Sequence, residues 1–372
     1  MVKALGIVNF SGNHIWVNGL QDYRPIGAFS FLGRYRVIDF PISNMSNSGI
    51  DRIEVYIRSK PRSVVEHVGT GRHYNINSKK GRVHLLFSDS PSENNDIYNT
   101  DIAAYWSNLE CIEAEEAEYV VIAPSYMVYS MNYRELLNNH IKTGADVTLL
   151  YHTADNAHED YLNCHALKLN RQSGVLSLEQ NRGSEKNRNI FMDTYVMKKS
   201  VFIDLIKKAR AVSSMYTLAD IVHQECENLD IRGVEHKGYF AAITGFKNYF
   251  DANLSLLDYK EAEDLFKKDW PIYTRTNDSC PTQYFENASV RKSVVSNGCL
   301  IEGAVENSVI GRGCIIKEGA VIRNSVILPG TYIGENVQIE NVVVDKHARI
   351  LHENKLISSE EHPGYIKRKD II

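Results

Sequence analysis

The stretch IGRGCIIKEGAVIRNSVILPGTYIGENVQIENVVV, residues 310–344, sets the architecture of the C-terminal part of the chain. Ile310, Ile316 and Ile322 stand six apart, and so do Ile327, Ile333 and Ile339, with a slip of one residue between the two sets. Four residues after each comes a small or β-branched residue: Cys314, Ala320, Val326, Thr331, Val337 and Val343. Val295 and Ile301 extend the series backwards across an insertion. An ordinary antiparallel sheet gives such a series only by chance. A six-residue period with an aliphatic corner is the pattern of a parallel β-helix, in which each coil buries its apolar residues against the next. So short a run makes few coils, and it is expected to lean on the rest of the chain.

Upstream, Trp270–Pro271 and Cys280–Pro281 punctuate a linker in a chain with only 9 Pro, and Asn253 to Lys268 reads as one amphipathic charged helix. Before that, strand-like and helix-like segments alternate. Strands are expected at Lys3–Val8, Arg52–Ile57, Tyr119–Ala123 and Asp146–Tyr151. Helices are expected at Pro41–Ser48, Asp101–Ala117 and from an Asn132 cap to Thr143–Gly144. His165–Leu178 reads as a hairpin around Arg171–Gly174, Val201–Ala211 and Leu218–Asn228 as helices, and Ile231–Ile243 as paired strands. Such alternation points to a largely parallel sheet with helices on both faces. The divisions expected are an α/β domain over 1–250, helix and linker over 251–285, and the β-helix with its tail over 286–372.

Composition narrows the function classes. The 372 residues are 43% hydrophobic and 24% charged, ordinary for a folded soluble chain. Lys plus Arg is 42 against 46 for Asp plus Glu, a net charge of −4, so no whole-protein field draws in nucleic acid or an anionic membrane. No apolar run reaches membrane-spanning length. Met1–Phe10 reads as a first strand rather than a signal peptide. The 6 Cys are scattered without a CxxC pair, which fits buried thiols in a reduced, cytoplasmic protein.

The segment GRYRVIDFPISNMSNSGI, residues 33–50, resembles the block that follows the phosphate loop in sugar-nucleotide pyrophosphorylases, and most closely in bacterial glucose-1-phosphate adenylyltransferases. The likeness continues through SKPRSVVEHVGTG (59–71), the Tyr98 region, YSMNY (129–133), GYFAAITGFKNYFDAN (238–253) and WPIYT (270–274) into the hexapeptide tail. It implies a Rossmann-like nucleotidyltransferase domain of α/β class with a mixed, mostly parallel sheet, followed by a short left-handed parallel β-helix of hexapeptide repeats. The family moves the adenylyl group of ATP to glucose 1-phosphate with Mg²⁺, making ADP-glucose for glycogen synthesis.

The positions that perform this chemistry are the ones that differ. Nucleotidyl transfer rests on backbone N–H groups close to the phosphates, a cation and Mg²⁺. Active members carry a Gly-Gly-x-Gly-x-Arg-Leu loop after the first strand. Here Ile7-Val8-Asn9-Phe10-Ser11-Gly12-Asn13-His14 has one glycine, and no Lys or Arg stands between Lys3 and Arg24. Tyr126 falls where the first metal-binding Asp is expected, and Ala242 where the second lies in a Tyr-Trp-x-Asp-Val-Gly pattern. Gln180 replaces the sugar-phosphate lysine of a Phe-x-Glu-Lys-Pro pattern. A phenol and a methyl group supply no carboxylate pair for Mg²⁺, so no cofactor is expected.

Tyr98, Glu179 and Tyr195 match substrate-side positions and are candidates for vestigial ligand contacts. Arg24, Arg34, Arg36, Arg58, Lys60 and Arg62 are candidates for an anion or sugar-phosphate effector site, with His67 and His73 as possible members. The resemblance extends to the D-type subunits that pair with a catalytic one. It implies a regulatory, catalytically deficient subunit in a heterotetramer, with a homo-oligomer as the other assembly. The alternative is an active nucleotidyltransferase that rebuilds its metal site from Asp22, Asp101, Asp193 or Asp220. A hexapeptide acyltransferase using His347 or His352 and a purely self-assembling structural protein complete the readings.

Overall fold

A computed structural model describes residues 3–77, 79–87 and 98–372. Met1 and Val2, the start of the segment read above as a first strand, lie outside the described residues. The α/β domain is built on a nine-stranded mixed sheet. Its parallel half runs Tyr119–Pro124, Ala4–Asn9, Arg52–Ile57 and Arg82–Phe87. The long strand Arg188–Lys198 then turns the sheet antiparallel. It pairs with Val147–Ala154 along one edge, and with Tyr119–Pro124 and, nearer its start, His165–Leu169 along the other. Tyr119–Pro124 is buried along its whole length, as a central strand covered on both faces must be.

Two segments read as single helices are divided, and one read as paired strands finds other partners. The expected helix Asp101–Ala117 is two, Asp101–Ser107 and Leu109–Ala114. At the junction the Asn108 side chain donates to the carbonyls of Ala104 and Phe87 and leaves the helical path. The expected helix Asn253–Lys268 is likewise Phe246–Ser255 and Tyr259–Leu265. Asp258 restarts it by accepting from Lys260 N. The strands read within Ile231–Ile243 do not pair with each other. Ile231–Glu235 joins Val147–Ala154 in parallel, and Phe240–Ala242 pairs antiparallel with Met127–Tyr129.

Beyond the linker, three parallel sheets of five short strands form the β-helix. The isoleucines of the repeat stack in columns: Ile301, Ile316, Ile333 and Ile350 on one face, and Val295, Ile310, Ile327 and Val344 on another. Cys314, Ala320, Val326, Thr331, Val337 and Val343 are all buried. The slip of one residue has a local cause. Asn307, Asn324 and Asn341 occupy the same corner of successive coils in the left-handed backbone region, which closes the turn one residue early. Asn307 donates to Asn324 Oδ1 at 2.8 Å along that corner.

The two parts meet tightly. Gly33 has a φ of +71°, and a β-carbon there would lie 2.8 Å from the carbonyl oxygen of Ile310, so the family-like loop rests directly on a coil. Arg24 forms an ion pair with Asp345 with both side chains almost wholly buried, and Tyr365 donates to the same carboxylate at 2.9 Å.

Candidate functional site

A cleft of about 440 Å³ opens at the carboxyl ends of the parallel strands, the usual place for a ligand in such a sheet. Asn9 ends the first strand there and is spent internally: its amide donates to Asp101, and its oxygen accepts from Phe10 N. The His14 ring folds back over Gly12 so closely that a β-carbon at Gly12 would collide with it. The loop that stands in the place of the family's phosphate cradle therefore has a side chain packed on its one glycine, and its residues line the cleft with side chains rather than bare backbone.

The two positions matching metal carboxylates are brought side by side. Ala242 pairs with Met127 across adjacent strands, and Ile243 N donates to the Tyr126 carbonyl at 2.9 Å. Tyr126 is 2% exposed. Its hydroxyl donates to Asp193, a residue of the cleft, and burial together with that carboxylate raises its pKa well above the usual phenol range. The ring is a neutral plug. Ala242 borders a neighbouring cavity of about 600 Å³, walled by the stacked rings of Tyr161 and Phe240.

The remaining carboxylates of the cleft already hold partners. Asp101 accepts from Ile102 N, Leu218 N and Asn9, while burial pushes it up to about 6. Asp220 closes a capping box with Thr217 at the start of the helix Leu218–Gln224. Burial works against charge on His165, but the Asp193 carboxylate outweighs it and raises the imidazole pKa. His14, packed edge-on against His165, is lowered by burial and then by that neighbour. Asp22 lies on an exposed turn outside the cleft.

Of the substrate-side candidates, Tyr195 lines the cleft, as does Gln180, the residue in place of the sugar-phosphate lysine. Glu179 does not: strand alternation turns it to the opposite face, where it pairs with Lys168 at 2.7 Å. Tyr98 is 40% exposed and outside the cleft lining.

The basic candidates separate into two groups. Arg24 and Arg36 lie at the seam between the α/β domain and the β-helix, with Lys346 beside them. Burial, and then Arg36 and Arg24, depress the lysine pKa well below its usual value. Arg24 is not a free surface cation, because Asp345 neutralises it. Arg36 donates to the Ala28 carbonyl at 2.7 Å. Arg34 is exposed beside the same seam, where its charge reaches Arg312. Lys60 sits over the Trp16 ring and donates to the Gln21 carbonyl, and Arg62 pairs with Glu66 on an exposed helix face. Arg58 is half-buried on the strand end that also receives Asn99. Asp39, His67 and His73 form the cluster with metal-ligating side chains among the described residues. Its carboxylate is taken by His67, Tyr74 and the Arg36 amide. His14, His165 and Lys346 escaped the sequence reading because each gains its meaning from residues far along the chain.

The nucleotidyl transferase family matches residues 20–258, and the GlmU-like C-terminal hexapeptide family matches residues 281–362. The chain is 28% identical over 354 residues to the glucose-1-phosphate adenylyltransferase of Fervidobacterium nodosum, covering 94% of this chain and 84% of that one. It is 29% identical to the glucose-1-phosphate adenylyltransferase of Clostridioides difficile, over 85% of this chain and 86% of that one. The Bacillus cereus protein of the same description is 27% identical, over 90% and 89%.

Proposed function

The chain belongs to the nucleotidyl transferase family, and from that premise we propose that it is a catalytically deficient, regulatory subunit of a glucose-1-phosphate adenylyltransferase. It would modulate a catalytic partner that makes ADP-glucose from ATP and glucose 1-phosphate in glycogen synthesis. The observation that carries this reading is the Tyr126 plug. A buried neutral phenol stands where the relatives' motif has a metal carboxylate, hydrogen-bonded to Asp193, and Ala242 beside it offers no oxygen. Mg²⁺ needs carboxylate and phosphate oxygens together, and this donor set does not fit it. Removing a single electrostatic contact typically costs about 10²–10³ in rate, so joint loss of loop, metal and lysine leaves little turnover.

On this reading the subunit acts by favouring one conformation of its partner, within a heterotetramer in the cytoplasm. The seam around Arg34, Arg36 and Lys346 is where an anionic effector such as a sugar phosphate would join the two domains. Arg58, Lys60 and Arg62 belong to the second group and would serve only as a separate anion contact, while Arg24, neutralised by Asp345, would hold the seam rather than the effector. The second reading, an active enzyme with a rebuilt site, is favoured by one observation: Asp101 and Asp193 both face the cleft. One experiment separates them. The purified chain is assayed with ATP, glucose 1-phosphate and Mg²⁺, alone and mixed with a catalytic homologue. The regulatory reading expects no turnover alone and a mixture with altered rate, affinity or effector response. Robust turnover alone, or an unchanged mixture, overturns it.

A further inference from the structure

We infer that the cleft takes an uncharged polyhydroxylated ligand, a hexose or short oligosaccharide, held mainly through the ligand's hydroxyl donors. This rests on the reading that the cleft does not perform nucleotidyl transfer.

The inference begins with Asn99. The residue is 6% exposed, lines the cleft, and holds a buried side-chain oxygen, Oδ1, to which nothing donates among the described residues. Its orientation is fixed from the other end, since Nδ2 donates to the Arg58 carbonyl at 3.4 Å. A buried acceptor without a donor is costly, and a ligand hydroxyl is the group that satisfies it. A phosphate oxygen brings only another acceptor.

The rest of the lining has the same character. Asp101, Asp193 and Asp220 contribute carboxylate oxygens, the basic groups of the lining are the imidazoles of His14 and His165, the second held beside Asp193, and among the described residues no Lys or Arg lines the cleft. Phosphate sites are built the opposite way, from N–H donors and cations. The loop, which in the related motif is made of glycines, here presents Asn9 and Phe10. An organic cation is the less suited occupant, because each carboxylate already accepts hydrogen bonds from within the chain: Asp101 from Asn9 and two backbone amides, Asp193 from Tyr126, Asp220 from Thr217. What they offer is remaining lone pairs rather than an unsolvated charge. Phe10 gives ring surface for the C–H face of a sugar beside the almost wholly buried Tyr195, and Gln180 adds an amide that both donates and accepts. The volume of about 440 Å³ lies within the range of about 300–1,000 Å³ usual for small-ligand pockets.

The test is calorimetric titration of the full chain with D-glucose, maltose and maltotriose, against glucose 1-phosphate and ATP with Mg²⁺. At least one neutral sugar is expected to bind saturably at one per chain, with glucose 1-phosphate at least about tenfold weaker. Asn99→Ala is expected to weaken sugar binding about tenfold, with its folding checked by circular dichroism. Gln180→Lys, at a partly exposed strand position, keeps the proposal testable if the first variant does not fold; it should reverse the ranking towards glucose 1-phosphate. Absence of saturable sugar binding, equal or tighter binding of glucose 1-phosphate by the unaltered chain, or indifference to both substitutions would overturn the inference. The transfer assay on the same sample separates the two readings. Turnover defeats the catalytically deficient assignment, whereas no turnover and no sugar binding defeats only the ligand.

Discussion

The β-helix and the α/β domain bury different things. Inside the coils, stacked aliphatic residues and two thiols fill the interior, and each column repeats one contact from coil to coil. Inside the α/β domain, carboxylates are buried as well: Asp39, Glu54 and Asp101 each sit among side chains that shift their affinity for protons. The first kind of core is held by nearest neighbours, coil upon coil, and the buried carboxylate of that part of the chain, Asp345, lies at the seam rather than in a column. The second keeps ionisable groups in low dielectric and makes stability depend on their protonation.

The harshest way to break that contrast is to put a carboxylate into a column. Ile333→Asp places an unpaired charge, or a neutralised acid without a partner, at a fully buried position. It is expected to cost on the order of 5 kcal/mol and to unravel the coils on either side, read by chemical denaturation and loss of the β-helix's protection from proteolysis. A smaller effect is expected at the seam. Arg24→Met strands the buried carboxylate of Asp345 and should destabilise by about 3–5 kcal/mol. Adding Asp345→Asn should recover part of that loss, and no recovery would mean the ion pair is not what joins the halves.

Glu54 sharpens the pH side of the comparison. Burial pushes its carboxyl up to about 7 from 4.5, against the hydrogen bond from Tyr56, and its other oxygen has no partner. The folded form therefore holds its proton more tightly than the unfolded one. The associated stability is fully present below about pH 4.5 and is lost as pH rises through 7. Glu54→Gln should leave stability unchanged at pH 4, add about 2 kcal/mol at pH 8, and flatten the profile between. A variant that kept the slope would assign it to another group. The smallest effect belongs to the Asn corner: Asn324→Ala, at a φ of +44°, should cost about 1–2 kcal/mol, seen as a lowered melting temperature.

How much of this was legible in the chain follows the same division. Six-residue spacing announced the columns because a repeat writes each contact many times over. The slip between Ile322 and Ile327 was visible as arithmetic, but its cause, an Asn at a left-handed corner, needed coils of known register. Tyr126 and Ala242 were found by counting along motifs, and the pairing of their strands put them side by side. Glu179 lies off the cleft, which a motif does not reveal because it records which residue is present and not which face of the strand it takes. Asn108 and Asp258 interrupt expected helices through side-chain hydrogen bonds that apolar periodicity does not register. Arg24 reads as an effector-site candidate because its partner, Asp345, lies in the other domain, where no local pattern announces the pair.

The Tyr126 phenol has one more consequence, for how such a protein changes over generations. Trimming the ring back to an aspartate empties the volume it fills and brings a second carboxylate up to Asp193 before any cation is held there. On the proposed reading, a route to metal binding through this position thus descends before it climbs. A loss of transfer chemistry would then work as a ratchet, and lineages would improve such a chain as an accessory rather than restore it as an enzyme.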